Sequence, residues 1–307
     1  MADTKTVLLE NSLSEKNKIN ALEESVTADY YETLIGNVLA DKIRYGLFYN
    51  IADVQPMKQP VGYVFAKKRD AATKELKIVT SDKIEVETFS ETAKITQEAY
   101  EDLLRVSTYN GADDTTIFEE FVKSLAGYAE VTKFLADVKA AAKAVTDLTL
   151  DAEASSNGET NIFVIHKYVN EQVVKMNSDN FRTYDAFCIL PSKNIGGILG
   201  LGTTYSKLST QSEDARAHDY YLTTINNVSY YLNPDATETF AIVGLYSSKE
   251  KFASALVYCP FSVLTSCADV PDTGEKSLTV KIRSALVINP LHDAASDTPL
   301  LCKFEIK

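Results

Sequence analysis

Residues 61–89 constrain this chain more than any other stretch, because they read as a long β-hairpin with little of its own to lie on. Val61, Tyr63 and Phe65 share one face of the outgoing strand. The tip is charged, with Lys67, Lys68, Arg69 and Asp70, then Lys74 and Glu75. The return strand runs from Leu76 through Ile78 and Val79 to Ile84, Val86 and Thr88. Lys83, Glu85 and Glu87 alternate with those last three and make one wet face. A lone two-stranded hairpin is marginal in water. This one must pack on something, within the chain or outside it.

The rest of the chain mixes helix and strand. Residues 1–45 read as a helical arm, with Ser12 and Glu15 as a capping box and Leu34, Ile35, Val38 and Leu39 as an apolar stripe. A short helix is expected near 96–105, capped by Thr96. The strongest helical signal covers 117–145. Thr116 and Glu119 cap its start, and Phe118, Phe121, Leu125, Tyr128, Val131, Leu135, Val138, Ala142 and Val145 recur at helical spacing. Such a helix is roughly 40 Å long, enough to span a domain as a strut.

Ser155-Ser156-Asn157-Gly158 marks a boundary. Beyond it a helix is expected over 161–177, a buried strand over 186–190 and a short helix from Pro191 to Leu199. Strands follow over 229–232, 240–246 and 253–258, and residues 261–307 are mostly strand. The class is α+β. The β-rich end of the chain is expected to pair with earlier strands, which makes the first domain discontinuous.

Charge and composition exclude several roles. The net charge is −12, which argues against a duplex-coating protein, since such affinity comes from neutralising phosphates. No apolar run reaches the roughly 18 residues of a membrane span, and the first ten residues lack the pattern of a secretory signal. Cys188, Cys259, Cys267 and Cys302 sit in apolar or β-rich surroundings, as buried free thiols do.

Catalytic constellations are weak. His166, His218 and His292 are scattered and no HExxH pattern occurs, so His166 reads as structural. Cys188 lies among apolar neighbours rather than in the electropositive setting a nucleophile needs. Gly196, Gly197, Gly200 and Gly202 form no phosphate-binding motif and read as turns. Asp113-Asp114, and Asp269 with Asp272, read as solvated loop carboxylates. No metal or cofactor is expected. The basic hairpin tip is the most informative polar cluster, because a basic projection on an acidic chain is complementary to copies of itself.

Three blocks carry a resemblance. The first is Gln55-Pro56-Met57 with Pro60, Gly62 and Phe65-Ala66. The second is Phe187-Cys188-Ile189-Leu190-Pro191-Ser192. The third spans 253–290 and includes Tyr258-Cys259-Pro260-Phe261, Arg283 and Asn289-Pro290. In this order they resemble the major capsid proteins of tailed phages of the T-even-type myovirus group. The sequence departs from that pattern at Val61, at Asp272-Thr273-Gly274 and at Ser284-Ala285.

The resemblance implies a Hong Kong 97-like fold. Residues 1–45 would be the N-terminal arm and 46–151 the first part of a peripheral domain, holding an extended loop (61–89) and a spine helix (117–145). Residues 152–258 would be the apical domain and 259–307 the returning peripheral strands. It implies a shell subunit rather than an enzyme, forming the hexamers and pentamers of an icosahedral head around double-stranded DNA that it does not read. Tyr63, Phe65, Lys67, Lys68, Arg69 and Lys74 of the extended loop would contact neighbouring subunits. Portal and scaffold proteins, with decoration or vertex proteins, would be the other partners. The place implied is the virion, after assembly in the host cytoplasm. The alternative is a tail tube or sheath protein of a contractile-tailed phage.

Overall fold

The computed structural model describes residues 46–69, 76–96, 98, 116–149, 159–178, 185–192, 220–235, 237–247, 253–269, 275–296 and 299–307. The arm expected over 1–45, most of the helix expected near 96–105 and of that after Pro191, and Lys74 lie outside these residues. In chain order the elements are α1 (Leu47–Ile51), β1 (Asp53–Val54), β2 (Val61–Gly62), β3 (Phe65–Arg69), β4 (Leu76–Thr80), β5 (Ile84–Glu85) and β6 (Glu87–Ile95). Then come α2 (Thr116–Ala141), β7 (Lys143–Ala144), α3 (Glu159–Ser178), β8 (Asp185–Leu190), β9 (Tyr221–Ile225) and β10 (Val228–Leu232). The chain closes with β11 (Phe240–Tyr246), β12 (Leu256–Asp269), β13 (Lys276–Ile288) and β14 (Leu301–Glu305).

Two sheets organise these elements. One has the order β1-β12-β13-β6, with β1 parallel to β12 and the other pairs antiparallel. The other has the order β7-β14-β11-β8-β10-β9. Residues beyond 259 therefore divide: β12 and β13 serve the first sheet, while β14 enters the second between β7 and β11. The second sheet is buried because β8 and β11 are nearly continuous apolar runs, as strands covered on both faces must be. Gly244 is required there. A Cβ on it would lie 2.3 Å from the Phe187 ring and 2.6 Å from Leu301.

The helix α2 ties the sheets together. Its row Ala126, Glu130, Phe134 and Val138 repeats every four residues and is buried. Ala126 packs on Leu278 and Val280 of β13. Phe134 meets Phe48 at 5.6 Å and Phe89 at 5.2 Å, both edge-on, the favoured aromatic geometry. Leu125 and Tyr128, expected on the buried stripe, are instead exposed. The sheet contacts the i+4 row beside them.

The helix also stops earlier than its periodicity suggests. It ends at Ala141, and Lys143–Ala144 pair with Cys302–Lys303. Val145 N–H then donates to Lys303 O at 2.9 Å. The apolar residues that continue the helical period are thus used by strand pairing, a tertiary demand overriding local preference. Lys303 Nζ donates to Lys139 O (2.6 Å) and His292 Nε2 to Ala141 O (3.1 Å), satisfying carbonyls that a helix end leaves open. Among the described residues no helix is long and apolar enough to cross a membrane.

Candidate assembly surface

The hairpin is anchored by a short parallel ladder. Asp53 lies opposite Val257 and Val54 opposite Tyr258. The ladder continues beyond β1, with Gln55 N–H donating to Tyr258 O (2.8 Å) and Met57 N–H to Pro260 O (3.0 Å). Pro260 has no N–H, and the β12–β13 register shifts between Pro260 and Ser262. A bulge is where a strand tolerates proline. Four of the motif residues, Gln55, Met57, Tyr258 and Pro260, are therefore brought together from distant parts of the chain.

The buried side chain of Gln55 acts as a further piece of strand. Its Nε2 donates to Phe65 O (3.0 Å) and its Oε1 accepts from Phe65 N–H (3.3 Å). Pro56 beside it is buried, while Pro60 is exposed and its carbonyl accepts from Val86 N–H (3.0 Å). Gly62 lies close under Met57, where an added Cβ would sit 3.0 Å from the Met57 methyl and oblige that side chain to shift. Arg283 stacks over the Phe261 ring at 4.8 Å, a cation–π contact. Asn289 lies apart from this cluster. It is buried where β13 leaves the sheet, donating from Nδ2 to Ser254 O (2.7 Å) with Pro290 half-buried beside it.

The ribbon itself differs from one continuous hairpin. It is two short antiparallel pairs, β2 with β5 and β3 with β4. Residues 63 and 64 break the alternation between β2 and β3, so Tyr63 and Phe65 do not share a face. Tyr63 is 60% exposed, whereas Phe65 is buried and cannot meet a neighbour in this conformation. Val64, also buried, packs with Val257, Cys259 and Ala285 beneath the ribbon. Lys67 is half-buried. Lys68 and Arg69 belong to β3, and their side chains lie outside the described residues.

Two acids near the ladder, Asp53 half-buried and Glu130 buried, carry no sequence signal of their own. Asp53 Oδ2 accepts from Ser254 N–H at 2.8 Å. Burial pushes its carboxyl up to about 6, against the opposing pull of the Ser254 hydrogen bonds and the Lys67 charge. Glu130 reaches from α2 to the sheet, where its Oε1 accepts from Tyr258 OH (2.8 Å) and from Ser284 Oγ. Burial raises its carboxyl above the ordinary range, and the two hydroxyls partly offset this. In sequence both acids look like solvated charges. The unusual Ser284 was the available hint, since a hydroxyl facing a buried helix asks for a partner.

Both ring nitrogens of His166 are engaged, and His218 lies outside the described residues. The Nδ2 groups of Asn170 (2.9 Å) and Asn226 (3.2 Å) donate to His166 Nε2, leaving Nδ1 to donate to Tyr230 OH (2.7 Å). Burial lowers its pKa, in keeping with a neutral ring. Cys188, Cys259 and Cys302 are buried thiols, with burial pushing Cys259 and Cys302 up to about 12. Among the described residues no three His, Cys, Asp or Glu side chains converge as a metal site.

No protein-family model and no curated protein matches the chain. Solved structures do. A virus-like particle protein from Pyrococcus furiosus superposes with a TM-score of 0.53 at 10% identity, over 91% of this chain and 100% of its own. A phage-related protein from Bordetella bronchiseptica gives 0.51 at 11% identity, over 89% and 97%. The fold is Hong Kong 97-like. At such identities the likeness is one of overall architecture, not of side chains.

Proposed function

We propose that this chain is the major capsid protein of a tailed phage, of the T-even-type myovirus group, and that it works mechanically rather than as an enzyme. Copies assemble as hexamers and pentamers into an icosahedral head shell around double-stranded DNA. The observation that carries this reading is the ribbon. The strands β3 and β4 pair with each other in a sheet of their own, and Tyr63 at the ribbon's base is 60% exposed. The ribbon's root is held within the chain by Gln55 and Val64, but a two-stranded ribbon beyond such a root is marginal alone, so a neighbouring copy is the natural support of its outer part. The superposition on a virus-like particle protein supports the same reading.

In this reading α2 is the spine helix and the four-stranded sheet the peripheral domain. The six-stranded sheet with α3 is the apical domain, which on this division takes Leu301–Glu305 as well. Tyr63, Lys67, Lys68, Arg69 and Lys74 contact the adjacent subunit, while Phe65 holds the ribbon's root. Portal, scaffold and decoration or vertex proteins join the shell, which forms in the host cytoplasm and becomes the virion surface.

Electron microscopy of the purified protein tests this. Closed icosahedral particles are expected from the wild type. Replacing residues 67–75 by a short turn is expected to leave folded subunits that form none. Tubes from the wild type would favour a tail protein instead, and normal particles from the shortened variant would remove the ribbon from the assembly mechanism.

A further inference from the structure

The four-stranded sheet has two unlike faces. One lies under α2, with Val263, Leu278, Val280, Ile282 and Ala93 around Ala126. The residues between these, by the alternation of strands, face the other way. They run from Thr88 to Lys94 on β6, from Arg283 to Ser277 on β13 and from Ser262 to Ala268 on β12, paired row by row. None of these alternate positions is Asp or Glu. Its charges are Lys94, Lys281 and Arg283, and Ser and Thr occupy most of the rest, with Thr92 and Thr279 hydroxyls bonded at 2.9 Å.

This is unexpected on a chain of net charge −12. Lys94 and Lys281 are exposed and have no ion-pair partner among the described residues. Between the charges, Leu264 pairs with Lys281 in the ladder and is 54% exposed. Phosphate backbones offer an exposed leucine nothing. A protein surface does, since interfaces combine an apolar anchor with a polar rim.

We propose that this open sheet face docks a carboxylate-bearing surface of a second copy of the chain, with Lys94 and Lys281 pairing its acids and Leu264 as the anchor. The inference rests on the shell reading and names one contact within it. Copies of an acidic chain repel at distance, so a carboxylate-free cationic face gives them a favoured orientation. The basic ribbon tip is repelled from the same face. At about 10 Å by 20 Å the face is well short of the roughly 800 Å² per partner of a full interface, so it is one contact among several.

The test mixes unlabelled and heavy-nitrogen protein, assembles it and treats it with a zero-length carbodiimide. Mixed-isotope crosslinks from Lys94 or Lys281 to Asp or Glu are expected by mass spectrometry. Lys94→Glu/Lys281→Glu should melt like the wild type yet need at least about tenfold more protein for half-assembly, while Lys94→Arg/Lys281→Arg stays close to the wild type. Absent crosslinks, or charge reversal that leaves assembly unchanged, overturn the inference. So does a reversed variant that assembles normally but no longer shifts duplex DNA on a gel, which would make the face a nucleic-acid contact. Tubes would overturn the shell reading alone, because the crosslinks would still decide the contact. A wild type that stays monomeric overturns both.

Discussion

Tyr258 and Glu130 meet at 2.8 Å between β12 and α2, the phenol donating to a buried carboxylate oxygen. Ser284 donates to the same oxygen from the adjacent strand. The long helix is thus held to its sheet by a polar contact inside an otherwise apolar seam. Such contacts are specific, but they are costly when half broken.

Glu130→Ala should therefore cost about 3 kcal/mol in denaturant unfolding, because it strands two buried hydroxyls and opens a cavity. Glu130→Gln keeps an acceptor and removes the charge that burial opposes, so it should fall within about 1 kcal/mol of the wild type. Equal losses in the two variants would mean that the hydrogen bonds contribute nothing.

Gln55→Leu tests the anchor of the ribbon. It fills similar space but abandons both backbone groups of Phe65, at a cost of about 2 kcal/mol. Hydrogen exchange should accelerate at the Phe65 amide while β8 and β11 keep their protection. Unchanged exchange at Phe65 would show that the ribbon root is held by packing alone.

Asp53 should give stability a particular pH dependence. Its folded pKa, about 6, lies above the ordinary 3.8. The folded state then holds the proton more tightly than the unfolded chain does. Stability should rise as pH falls from 7 through 6, by about 2 kcal/mol down to pH 4, and level off below the ordinary carboxyl value. Asp53→Asn should lose that slope. Unfolding titrations of both proteins across this range, with Asp53→Asn retaining the full slope, would assign it to another group.

Gly244→Ala adds a methyl group where Phe187 and Leu301 already touch the backbone. Overpacking of this kind typically costs about 1–3 kcal/mol. A double variant, Gly244→Ala/Leu301→Ala, should recover part of the loss if crowding is the cause. Thermal unfolding of the two variants makes the comparison.

Legibility in the sequence followed the range of the interactions. Helix α3 and strands β8, β10 and β11 were expected within a residue or two, because each carries its own periodicity. The hairpin at Asn226-Asn227, both with positive φ, was missed although paired Asn residues suit such a turn. The end of α2 was misplaced because β14, far along the chain, claims the residues after Ala141. Gln55, Met57, Tyr258 and Pro260 were singled out by resemblance, yet what Gln55 does depends on a register that only the folded sheet defines. Phe65 was assigned outward because period-two alternation was carried through the break at residues 63 and 64. Glu130 and Asp53 were passed over because a carboxylate looks the same in sequence whether water or a hydroxyl faces it.

The position of β14 makes the larger sheet a non-local construction. Leu301–Glu305 joins β7, which precedes α3, to β11, so the sheet cannot close until segments far apart in the chain have met. Pairing of this kind forms slowly, because long loops must close before the contacts that reward them exist.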